Sequence, residues 1–192
     1  MELYEVVLFG HITVLLLAMV LAGAIHASQW LAARASTVAE MRALAKPQAW
    51  GILFAPVVAL MLLLGGWLVQ LSDDRRDAYS FGDGWVWTAA LVLAFAFVEG
   101  FALEGPHAEG LLTALGEAPD GPVTPEIRAR ASATVPWVIG HAVPFMIIGV
   151  VANMVNKPGA AVSLLVIAAG AVVGGLLGLV GSRRAAAPAR VA

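Results

Sequence analysis

The chain has 192 residues, 60% of them hydrophobic and 12% charged, with a mean hydropathy of +0.87. That is about half the charge of an ordinary soluble domain, so the composition excludes one and reads as a protein whose first partner is the lipid bilayer. A net charge of −2 gives no case for nucleic acid, and the absence of cysteine excludes disulfides, iron–sulfur clusters and thiolate metal sites.

Five apolar runs approach or exceed the roughly 20 residues that a helix needs to cross about 30 Å of hydrocarbon. They cover 6–30, 50–71, 85–104, 133–154 and 160–181. No run shows the alternation of a membrane strand, so the fold class is an all-α membrane protein, a bundle of five transmembrane helices in one domain over 1–182 with a disordered tail over 183–192. Glu2 and Glu5 stand where a signal peptide would be basic, so the first run is expected to stay in the mature protein as a helix.

Lys and Arg are held on the cytoplasmic side in short loops. With the N-terminus outside, Arg34, Arg42, Lys46, Arg128, Arg130, Arg183, Arg184 and Arg190 fall inside, against Arg75, Arg76 and Lys157 outside. The expected topology is N-terminus outside, C-terminus cytoplasmic. Trp30, Trp50, Trp67, Trp85, Trp87 and Trp137 lie near the proposed helix ends, as an aromatic belt requires.

Between the first two runs, "RASTVAEMRALAKPQ" reads as a plain connector or a short surface helix ended by Pro47. The outer loop "SDDRRDAYSFGDG", with Asp73, Asp74, Asp77 and Asp83, reads as a solvated hairpin. After the third run, Gly105 and Pro106 are expected to break the helix, leaving "PHAEGLLTALG" as an amphipathic segment on the surface. Thr124 followed by Pro125 has the form of an N-cap and first helical residue, which puts Pro136 and Pro144 inside the fourth helix as expected kinks. In the fifth helix Gly170, Gly174 and Gly178 recur every four residues, a bare face for packing within the chain or against a second copy or a partner membrane protein.

Ionisable groups at membrane depth are costly and therefore mark functional sites. At about 1.5 Å per residue, His26 lies roughly 12 Å before Arg34, and His141 roughly 16 Å beyond Arg130, while Glu99 is about one turn above Glu104. Three helices thus bring His26, Glu99 and His141 to the inner half of the bilayer. His11 is about 22 Å from His26 and cannot share a ligand site with it. Glu104 and His107 have a Glu-x-x-His spacing, but a second such motif is missing and the Gly-Pro pair intervenes. Each His also has a plain reading as a hydrogen-bonding partner of a neighbouring helix.

"LFGHITVLLLAMVLAGAIH", "APVVALMLLLGGWLV" and "WVWTAALVLAFAF" resemble small bacterial predicted integral membrane proteins of unknown function, which are distantly similar to copper-resistance D and HemJ-type membrane proteins. The resemblance covers about the first hundred residues. It implies a multi-pass protein of the bacterial cytoplasmic membrane and, by position, a haem ligand at His11. The chain lacks the mid-helix Trp and the Pro-Arg pair of that pattern in helix 1.

Three functions fit these residues. The first is binding of haem b or a metal by membrane histidines, His26 with His141 as an axial pair, in electron transfer or cofactor handling. The second is a non-catalytic accessory or assembly subunit using the glycine face. The third is a proton-coupled transporter using Glu99 and the histidines. No nucleophile elbow or phosphate loop is present, so no hydrolytic enzyme is expected.

Overall fold

The computed structural model describes residues 2–72 and 78–187; Asp73, Asp74, Arg75, Arg76, Asp77 and Arg190 lie outside them. The described chain runs α1 (Leu3–Ala32), α2 (Val38–Ala45), a 3-10 stretch (Lys46–Leu53), α3 (Phe54–Gln70), α4 (Gly84–Glu99), a π turn (Gly100–Glu104), α5 (Gly105–Glu117), α6 (Pro125–Ala131), α7 (Thr134–Asn156) and α8 (Ala160–Ala186). Grouped by continuity, these make five helical segments long and apolar enough to cross a membrane. The protein is a polytopic helical membrane protein.

The helix ends follow from local chemistry. Glu5 accepts a hydrogen bond from the Glu2 N–H at 3.0 Å and closes the first turn of α1. Thr37 Oγ1 accepts from the Glu40 N–H at 3.2 Å, and Thr124 Oγ1 from the Ile127 N–H at 3.4 Å, with Pro125 first in α6 as its missing N–H allows.

Several expectations are corrected. The connector after α1 is a true helix, because Thr37 caps it and Val38, Met41 and Ala45 bury one side. Gly105 and Pro106 do not break the third run. Pro106 falls in the first turn of α5, where no N–H is needed, and the π turn carries the chain across without a gap. Pro136 does not kink the fourth helix, since the chain is interrupted at Ser132 and Ala133 and Pro136 lies in the first turn of α7; Pro144 alone is interior. Residues 183–186, expected in the tail, form the last turn of α8, and residues 188–192 lie outside the described part.

The short helices make a compact cap on one end of the bundle. Its core is Ala32, Ala35, Val38, Met41, Ala45, Leu111, Leu115, Ile127 and Ala131. Two arginines of the expected cytoplasmic set fasten it. Arg128 donates to the Ala33 and Ala35 carbonyls at 2.6 and 2.7 Å, filling the open C-terminal end of α1, and Arg42 donates to the Leu115 and Ala118 carbonyls, both at 2.8 Å, at the C-terminal end of α5. Backbone bonds from Val38 N–H to Gly121 O and from Val123 N–H to Ser36 O tie the two loops together.

Within the membrane segments, α7 and α8 make the most extensive contact. Gly170, Gly174 and Gly178 face the α7 backbone at Phe145, His141 and Trp137, so closely that a Cβ would collide with each carbonyl. The glycine face is filled by the chain's own α7.

Candidate functional site

Two polar clusters meet α7 at consecutive residues, Gly140 and His141. The first joins α1 to α7. His26 and His141 stand with ring centroids 4.4 Å apart and planes 47° apart. His141 stacks on Trp137 at 5.2 Å and 6°, and Trp30 meets Trp137 edge-on at 5.1 Å. The i, i+4 spacing of Trp137 and His141 on one helix produces the stack.

The hydrogen bonds fix the tautomer of His141. The Trp30 indole N–H, which is a donor only, donates to His141 Nε2 at 2.9 Å, so that nitrogen carries the lone pair. His141 Nδ1 then carries the proton and donates it to the Trp137 carbonyl at 2.8 Å. Trp137 Nε1 donates to the Ala131 carbonyl at 2.8 Å, and His26 Nδ1 lies 3.4 Å from Gln29 Oε1. Both nitrogens of His141 are therefore committed inside the protein.

That arrangement does not fit an axial bis-His haem. Such a pair needs a free nitrogen on each ring, about 4 Å apart across the metal for bonds of about 2 Å, with the macrocycle between the rings. Here the rings touch, and His141 has no nitrogen to give. His26 and His141 do come together, but as packed rings whose hydrogen bonds go to Gln29, Trp30 and the Trp137 carbonyl. His11 lies elsewhere, buried against α3 beside Gly65 and within reach of the Met61 backbone, with its Nδ1 unpartnered. Among the described residues no group of three His, Cys, Asp or Glu is placed to hold a metal.

The second cluster is acidic. Glu99 ends α4 and is 9% exposed; Glu104 ends the π turn. In an α-helix, five residues at about 100° each would leave the two carboxylates about 140° apart. The π turn, closed by a bond from Gly105 N–H to the Gly100 carbonyl five residues back, returns them toward one face, and they lie within electrostatic reach of each other. Each keeps one buried carboxylate oxygen, Oε1, with no hydrogen-bond partner. The Glu104 carboxylate lies directly over Gly140 of α7. His107, one turn on, lies beside Arg130 of α6.

Sequence reasoning missed Trp30 and Trp137 as parts of the site, because both also suit an aromatic belt. It also missed Gly140, a lone glycine outside any repeat. A signal for the π turn was present in Gly100 and Gly105, flanking the Glu99 to Glu104 interval just before Pro106. Comparison of the chain with protein-family models, curated proteins and solved structures gives no match. The resemblance to copper-resistance D and HemJ-type proteins thus rests on the apolar runs of the first hundred residues alone.

Proposed function

We propose that the protein conducts protons across the membrane, with Glu99 and Glu104 as its protonatable centre. One observation carries this reading: two carboxylates of one membrane span, within electrostatic reach of each other, each bury an oxygen that no donor satisfies. Buried polar groups in folded proteins are nearly always paired, and an unpaired carboxylate is stabilised by taking up a proton or a cation. π turns inside helices recur at functional sites, and here the turn assembles the pair. The count of basic residues supports placing the capped end, and with it Glu104, toward the cytoplasm.

The test is proton uptake by proteoliposomes under an imposed potassium diffusion potential, read with an internal pH dye. Wild type should exceed empty vesicles, and Glu99→Gln and Glu104→Gln should each lower the rate by about tenfold or more, the scale on which a positioned proton carrier acts. A hydrophobic carbodiimide, which reacts with protonated carboxyls, should label one of these two glutamates in the peptide mass spectrum. Equal uptake by wild type and Glu99→Gln overturns the reading.

A further inference from the structure

We propose that Gly140 is a positioning residue for the Glu104 carboxyl, and that its bare Cα is the niche that seats this half of the acidic pair on α7. The inference rests on the transport reading for its functional meaning and on geometry for its substance. A Cβ built at Gly140 collides with Glu104 Oε1, lies 3.0 Å from its Cδ and 3.7 Å from its Cγ. These three nearest atoms all belong to one side chain. Gly170, Gly174 and Gly178 differ, since what crowds them is helix backbone. Among the described glycines, Gly140 alone is shaped around a carboxylate.

The niche has two makers. The π turn swings Glu104 toward α7, and the missing side chain at Gly140 lets its carboxyl lie against that helix while Oε1 stays buried and unpartnered. The next residue, His141, is locked by Trp30 and by the Trp137 carbonyl, and its own carbonyl lies over Gly174 of α8. The wall that Glu104 rests on is therefore held from both sides. A carboxyl docked on a fixed wall keeps one position relative to Glu99, which is what proton exchange between the two requires.

The obstructed atom is the end of a flexible side chain, so alanine at Gly140 should displace the carboxyl and leave the helices in place. Gly140→Ala should fold and lower proton uptake about tenfold or more, within the range that displacement of a reacting group costs. Shortening the acid by one methylene should make room for the new methyl: Gly140→Ala/Glu104→Asp should recover at least about threefold over Gly140→Ala alone, an outcome that a general packing defect would not give. Wild-type uptake in Gly140→Ala, or no recovery in the double variant, overturns the proposal.

A melting cycle in detergent reads the same contact without transport. Gly140→Ala should lower the midpoint by about 2–6 °C, and by less than half as much in a Glu104→Ala background. Should Gly140→Ala be too unstable to purify, recovery of folded protein in Gly140→Ala/Glu104→Ala is the same result. An equal loss in both backgrounds overturns the proposal even where the transport reading holds; a coupled loss in a protein that carries no protons leaves Gly140 as the seat of Glu104 and removes the transport reading.

Discussion

The aromatic cluster of Trp30, Trp137, His26 and His141 and the acidic pair Glu99 and Glu104 abut the same stretch of α7, yet they are built on opposite terms. In the first, both nitrogens of His141 and the indole N–H of each Trp have a partner. In the second, each carboxylate buries an oxygen that has none. A satisfied buried network specifies how two helices meet and resists change. An unsatisfied one costs free energy in the resting fold, and a fold keeps such a cost where a ligand or proton uses the group. Proximity alone would have assigned both clusters one role; the hydrogen-bond inventory separates them.

The contrast breaks most severely at the packed side. Gly178→Leu drives a branched side chain into the Trp137 backbone, which supports the aromatic cluster, and should cost more than about 3 kcal/mol, seen as loss of folded protein or a large fall in melting midpoint. A smaller loss is expected from Trp30→Phe. It keeps the ring contacts but leaves the buried Nε2 of His141 without a donor, for about 1–3 kcal/mol, and because the Trp137 carbonyl still holds His141, proton uptake should fall by less than in Gly140→Ala. The opposite sign is expected on the acidic side. Glu99→Gln replaces an unpaired buried acid by a neutral amide of the same shape, so its stability should stay within about 0.5 kcal/mol of wild type or rise, while proton uptake is lost. A Glu99→Gln variant as unstable as Trp30→Phe would erase the distinction between the two clusters.

The spans were legible in the sequence, and so was the register that lets His26 meet His141. Helix length in a bilayer is set by apolar run length, and position along a helix converts to depth at a fixed rise. The glycine repeat was legible as a packing face for the same reason, since its period matches the helix. The caps at Thr37 and Thr124 also follow from residue type, the second marked more plainly by the proline that follows it.

Rotation, local helix type and partner choice were decided by tertiary structure. Whether His141 offers a nitrogen to a metal depends on Trp30, a residue far away in sequence whose indole reaches it only after α1 and α7 pack. Whether Glu99 and Glu104 share a face depends on one π turn, and hydropathy is blind to how a helix closes its hydrogen bonds. Gly140 gains its meaning from a carboxylate delivered by another helix. Hydrophobic length and composition act locally, so five helical spans carrying a few ionisable groups can be read along the chain. Only the packed structure decided which of those groups are satisfied and which are left open, because hydrogen-bond satisfaction is a property of neighbours brought together by the fold.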